Sequence, residues 1–297
     1  MLKSFFKGFR RIFGNLYFLF FLNGFLIASL FYLKTESNYE SNLFKAIQKS
    51  IDKKLAPTDT KDSMLVKIMR ECSNILGNRL AVFTGTSSDL EGFKTDFLHP
   101  ATVDLMTAKG ACGSYSFVLA RILQNYDFPV RIAQMKANGI FGAHNVVEVN
   151  INTQWVVLDP LFDTYFVKPG GKGLASFKDV KENWGYYSKQ LPEGYDPAYY
   201  YQDVRYTNWD KVPVILPAVK KILTFFLGEE RVKNMSLRVH FLRMYDFYFY
   251  VVLIIYLPVL LITAIRINKE NRVHQRPKEK SFAKSNSFIS RSLEKAQ

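Results

Sequence analysis

Two stretches of the chain have no polar face. Residues 12–33 read IFGNLYFLFFLNGFLIASLFYL without a charge, and residues 247–265 read FYFYVVLIIYLPVLLITAI between Asp246 and Arg266. At 1.5 Å per residue the first is about 33 Å long as a helix, enough for a hydrocarbon core of about 30 Å. A signal peptide or a buried core helix gives a similar run. This one is longer than a signal sequence and runs into Lys34-Thr35-Glu36 without an Ala-x-Ala site, so it reads as an uncleaved anchor. Pro258 in the second stretch is tolerated in membrane helices, and Tyr245, Tyr248 and Tyr250 gather at its leading end as an interfacial belt does.

Between them the pattern changes period. Over 36–55, Leu43, Ala46, Ile47, Ile51 and Leu55 fall on one helical face, and Pro57 ends the run. Asp59 or Thr60 caps a second helix carrying Met64, Leu65, Ile68, Met69, Cys72, Ile75 and Leu76, with Gly77-Asn78 as its stop. Cys72 lies on that apolar stripe and reads as a small core residue. Residues 79–104 show no assignable pattern. A helix is predicted over 114–126, then strands over 130–135, 145–151 and 155–158, with Asn152-Thr153 turning the last two into a hairpin. From 166 to 206 glycines, prolines and a run of tyrosines indicate loops that either line a cleft or cover a core, and cover is the favoured reading. An amphipathic helix follows over 217–227. The fold class is therefore α+β. The expected divisions are a basic end (1–11), a span (12–33), a domain over 34–246 with its core near 60–165, a second span (247–265), and a disordered basic tail (266–297).

Charge refines this picture. The chain of 297 residues carries a formal +14. Much of it sits at the ends: Lys3, Lys7, Arg10 and Arg11 before the first span, and nine Lys or Arg against three acidic residues after Ile265. The middle is near balance, which excludes nucleic acid as the expected partner. Basic flanks outside both spans put both termini in the cytoplasm and 34–246 on the other side of a lipid bilayer. Two cysteines, Cys72 and Cys112, are too few for a disulfide framework, though one bridge between them is conceivable in an oxidising compartment.

The candidate chemistry centres on Cys112. A thiol needs its pKa lowered to act as a nucleophile, and a helix start and a nearby imidazole both do this. Cys112 follows Gly110-Ala111 at a helix start, His144 opens a strand, and Asp159 closes the next one. That is the order nucleophile, base, orienting carboxylate. Gly110-Ala111-Cys112, Pro129-Val130-Arg131, His144 with Glu148, and Trp155-Val156-Val157-Leu158-Asp159-Pro160 together resemble the transglutaminase-like superfamily within the papain-like cysteine enzymes. The resemblance covers roughly residues 60–165. It departs at Gly113, at Asn145-Val146 after the histidine, and at Asp127-Phe128 before the Pro-x-Arg strand. It implies Cys112 as nucleophile, His144 as general base and acid, Asp159 as orienter, and the Cys112 N–H as part of an oxyanion hole. No tryptophan precedes Cys112 to supply a side-chain donor.

The function expected is a membrane-anchored cysteine protease, amidase or acyltransferase acting on a protein or peptide. The competing reading is an inactive domain of the same fold that binds or scaffolds in an envelope or surface-polymer assembly. No cofactor or metal is called for: His99, His144, His240 and His274 lack ligand spacing, and Pro169-Gly170-Gly171-Lys172-Gly173 lacks the Walker pattern.

Overall fold

Helix α1 runs Leu16–Asp52 without a break. The uncharged stretch and the amphipathic stretch after it are thus one helix, because Lys34-Thr35-Glu36 changes the polarity of the chain but contains no residue that stops a helix. The computed structural model describes residues 15–83, 92 and 98–294, with side chains through Arg272. The basic end 1–11, the first residues of the first span and much of 79–104 lie outside the described residues. The chain divides into two units, residues 36–247 and residues 1–35 with 248–297.

In the unit 36–247, α2 spans Lys61–Phe83. Its start is fixed by polar side chains. The Thr60 hydroxyl accepts from the Ser63 N–H at 3.2 Å, and the Asp59 carboxylate accepts from the Ala56 N–H at 2.7 Å and pairs with Lys67. The helix passes straight through Gly77-Asn78, where a stop was expected. A mid-helix glycine costs only about 1 kcal/mol, and burial of Leu76 with Ile75 and Leu80 against the core offsets it. Next come α3, Ala101–Thr107, which starts in the last residues of the stretch without assignable pattern, and α4, Cys112–Asn125.

The sheet has five strands: β1 Val130–Ala137, β2 Ile140–Ile151, β3 Gln154–Asp159, and the two-residue β4 Thr164–Tyr165 and β5 Val204–Arg205. Their order is β4-β3-β2-β1-β5, and each neighbouring pair is antiparallel. The three expected strands are its centre, with β1 and β2 extended to a tight turn at Asn138-Gly139. Both residues of that turn have positive φ, as do Asn152 and Thr153 in the next, and such turns match the twist of a hairpin. The short outer strands were not expected. They owe their pairing to the sheet beside them rather than to a pattern of their own.

Alternation along the strands builds two cores. One face presents Val130, Ile132, Val147, Val149, Val156 and Leu158 to Leu65, Ile68 and Met69 of α2 and Val118, Leu119 and Ile122 of α4. Cys72 is fully buried there, and burial pushes its thiol far up from its ordinary pKa. The other face presents Ala133, Met135, Val146 and Val157 to Phe166, Phe177, Tyr187, Tyr195, Tyr201 and Tyr206. This layer includes α5 (Phe177–Glu182), capped by a reciprocal Ser176–Asp179 box, and α6 (Trp184–Tyr187). Three elements follow: α7 (Ile215–Leu227), α8 (Glu229–Lys233) and a 3-10 turn, Leu237–Phe241.

In the other unit the long helix α9, Met244–Glu294, carries the second apolar stretch. Its backbone is helical as far as Glu294, over most of the stretch 266–297 expected as a disordered tail. Asn23 of α1 donates to Thr263 of α9 at 2.8 Å, a polar link between two otherwise apolar helices. Both helices are long and apolar enough to cross a membrane, and only 22% and 11% of their most apolar windows are buried in protein. A core helix would be covered.

Candidate active site

The Gly110-Ala111-Cys112 turn is built by a buried polar network. Asp104 of α3 accepts from the Ser114 hydroxyl at 2.5 Å, and the Ser114 oxygen accepts from the Gly110 N–H at 2.9 Å. A Cβ at Gly110 would lie 2.9 Å from that oxygen, so the motif's glycine is required by close approach. Ala111 sits at φ 43°, ψ −116°, a conformation costly for an L-residue, by about 1–3 kcal/mol. It is held by its N–H to the Ala108 carbonyl and by the Gly113 N–H to the Gly110 carbonyl, each 2.9 Å. The strain turns the chain so that Cys112 opens α4, where leading N–H groups have no partner inside the helix.

His144 and Asp159 come from neighbouring strands and lie on the face covered by tyrosines. Both are 0% exposed. His144 Nε2 is 2.7 Å from Asp159 Oδ2, and the Tyr195 hydroxyl donates to the same oxygen at 3.1 Å. Tyr199 stacks on the imidazole with ring centroids 4.4 Å apart and planes within 10°, and Phe162 leans on it at 5.7 Å. The ring is thus fixed in plane and tilt. Its other nitrogen, Nδ1, is buried and makes no hydrogen bond of normal geometry within the protein, which leaves it available to the partly exposed Cys112 thiol.

The electrostatics tie the three together. Burial pushes the Cys112 thiol pKa up, but the hydrogen-bonding and charge of His144, with the Asn145 backbone and side-chain amides, outweigh it and the net direction is down. Burial pushes His144 down, while the Asp159 carboxylate and the Cys112 sulfur pull it up, to about 9. Both shifts act in the direction of a thiolate beside an imidazolium. Both cysteines are free.

Other residues of the site were not foreseen. Asn145 appeared in the sequence only as a departure. Its side-chain nitrogen points to the Cys112 sulfur at 3.6 Å, its side-chain oxygen accepts from Arg238 at 3.3 Å, and its carbonyl accepts from the Ser116 hydroxyl at 2.9 Å. Tyr195 and Tyr199 belong to the tyrosine run read as cover. They are cover, and they also grip the imidazole and the carboxylate. The remaining matched positions gather elsewhere on the tyrosine-covered face: Arg131 pairs with Glu148 at 2.8 Å and lies over the rings of Trp155 and Tyr206, at 4.2 and 4.0 Å. They brace the sheet and do not reach the thiol. Among the described residues no group of three or more His, Cys, Asp or Glu is placed to hold a metal. No protein-family model, curated protein or solved structure matches the chain.

Proposed function

We propose that the protein is a membrane-anchored thiol enzyme of transglutaminase-like type that breaks an amide bond in a protein or peptide. One observation carries this reading: a partly exposed thiol at a helix start, coupled to a buried imidazole whose far nitrogen is held at 2.7 Å by a fully buried carboxylate. The alternative, a domain that only binds a partner, accounts for a buried His144–Asp159 pair but not for its coupling to a partly exposed thiol at a helix start.

In this mechanism the Cys112 thiolate attacks the amide carbonyl carbon. The S–C bond forms, and the carbonyl π electrons move to oxygen. The Asn145 side-chain amide and the Cys112 N–H are the donors nearest that developing charge, so Asn145 fills the role for which the sequence offered no side chain. The tetrahedral species collapses, the C–N bond breaks, and His144 gives its Nδ1 proton to the leaving amine. A water then attacks the thioester, losing a proton to His144 and expelling the thiolate, so that amide and water become carboxylic acid and amine. An amine in place of water gives acyl transfer by the same steps. Hydrolysis is the simpler reading, since nothing in the sequence indicates calcium loops or added β-domains.

The two apolar helices serve as anchors, with the domain 36–247 outside the cytoplasm. The test is selective thiol chemistry followed by function. Iodoacetamide is expected to modify Cys112 of the native protein much faster than Cys72, and Cys112→Ala to abolish turnover of substrates found by comparing the proteomes of wild-type and variant cells. Retention of more than about a tenth of activity in Cys112→Ala would remove the thiol from the mechanism.

A further inference from the structure

On the sheet face that carries α4, three side chains stand in a lateral row. Arg205 of β5 is opposite Gln134 of β1, and Gln134 is opposite Asn145 of β2. Directly opposed residues of antiparallel strands share a face, so the row leads across the sheet from a guanidinium to the amide that touches the Cys112 sulfur. A second guanidinium, Arg238, joins it from the 3-10 turn through its 3.3 Å bond to Asn145 Oδ1. Arg205 is fixed in place by Gln134 Oε1 at 2.9 Å and the Phe141 carbonyl at 3.4 Å, with the Phe141 ring 5.1 Å beneath it.

The partners of both arginines are neutral. Among the described residues the arginines that pair with carboxylates are Arg70, Arg121 and Arg131. Guanidinium stays charged at any ordinary pH. Burial lowers the proton affinity of Arg238, the Cys112 sulfur raises it, and the positive charge of Arg205 lowers it. Apart from the Cys112 sulfur near Arg238, the hydrogen-bond and ring partners of these two half-buried cations among the described residues are neutral amide and carbonyl oxygens and the Phe141 ring, so a further anion is favoured beside them. A guanidinium fork matches a carboxylate in two parallel hydrogen bonds. A cavity of about 670 Å³ opens beside Arg205; Phe141, Trp209, Lys220 and Lys233 line it together with the carboxylates of Asp203 and Glu229, so its wall carries three cationic side chains against two acidic ones and gives room for a chain leading to such a group.

We infer that Arg238 and Arg205 form an anion subsite beside Cys112 that receives a carboxylate of the substrate, so that the amide attacked is one flanked by an acidic group. The inference rests on Cys112 being the nucleophile. The carboxylate has two sources in a polypeptide, an acidic side chain next to the scissile bond or a free C-terminus. Both present the same fork-matching oxygens.

The test uses the full-length protein in detergent and a matched pair of electrophiles, iodoacetate and iodoacetamide. In each the thiolate displaces iodide, the S–C bond forming as the C–I bond breaks, and they differ in one carboxylate. The ratio of their rates at Cys112 cancels any change in the thiolate fraction. It is expected to be about tenfold higher in the native protein than in the same protein unfolded in urea, the size of one charge-assisted contact. Arg238→Gln and Arg205→Gln are each expected to lower the native ratio several-fold, with the double variant near the unfolded value and Arg238→Lys in between. A native ratio that neither glutamine variant changes overturns the subsite, because the His144 imidazolium alone would then account for it. Equal loss of both rates in the arginine variants also overturns it, by making the arginines supports of the thiolate only. The failure of the underlying reading looks different: iodoacetamide would then modify native Cys112 no faster than the unfolded thiol. A second arm assigns the source. Protection of Cys112 from iodoacetamide by N-acetylglutamate α-amide identifies a side-chain carboxylate, and protection by N-acetylglycinate a C-terminal one. Protection by neither overturns the substrate assignment.

Discussion

Replacing Asp159 by asparagine removes one charge from a buried contact while keeping its shape. The consequence follows from the ring it holds. His144 is raised from its ordinary 6.5 to about 9 against the pull of burial. That interval corresponds to about 3 kcal/mol of preference for the charged ring. Asp159 provides the largest upward pull by its hydrogen bond and a further one by its charge, and a hydrogen bond to a charged group is worth about 1.5–3 kcal/mol. Without it the buried imidazole favours its neutral form, and the proton returns to sulfur. At pH 7 the thiolate population, and with it the rate of iodoacetamide modification of Cys112, is expected to fall about 10- to 100-fold. The difference closes as pH rises. As pH rises through the ordinary thiol range, sulfur ionises without help from the ring, so wild type and Asp159→Asn should converge above about pH 9. The measurement is the alkylation rate of Cys112 against pH by intact-mass spectrometry, with buried Cys72 as the unreactive internal reference. A variant profile that overlays the wild type from pH 5 to 10 would refute the coupling and with it the thiolate–imidazolium pair.

Four further outcomes are expected. Tyr195→Phe removes one donor from Asp159 Oδ2 and should slow Cys112 alkylation at pH 7 several-fold, less than Asp159→Asn does; an effect equal to that of Asp159→Asn would contradict the supporting role. Ser114→Ala strips the buried Asp104 of its closest donor and the Gly110 N–H of its acceptor, and should cost about 2–3 kcal/mol in urea unfolding; a loss under about 0.5 kcal/mol would show that the turn before Cys112 is held by other means. Leu119→Ala, fully buried in α4, should cost about 2–5 kcal/mol in the same assay, while the alkylation rate of the molecules that remain folded stays at the wild-type value. A reporter active only in the cytoplasm, fused after Gln297, should give signal while a membrane-impermeant thiol reagent labels Cys112 from outside intact cells; a silent reporter, with an export-dependent one active at the same position, would reverse the proposed orientation.

Much of the scaffold around Cys112 was legible because local pattern and tertiary structure agree there. The helix predicted over 114–126 is α4, two residues earlier at its start, since apolar residues at helical spacing had to face the sheet. The three central strands and the Asn152-Thr153 turn followed from β-branched residues with period two. Once that hairpin exists, its register places His144 and Asp159 on the same face of adjacent strands. What local pattern cannot contain is side-chain convergence across distant segments. Asn145 faces the opposite side of the sheet from His144, and only the packing of α4 there brings its amide to the sulfur. Arg238 and Arg205 are unremarkable charges in sequence, and only a 3-10 turn and a two-residue edge strand bring one to Asn145 and the other to Gln134, the residue paired with it. Tyr195 and Tyr199 read as cover because composition reports that a surface is shielded without reporting which polar group lies beneath. A helix end went the same way: Gly77-Asn78 carries a weak local stop signal, and the burial of its neighbours in a helix already nucleated overrode it.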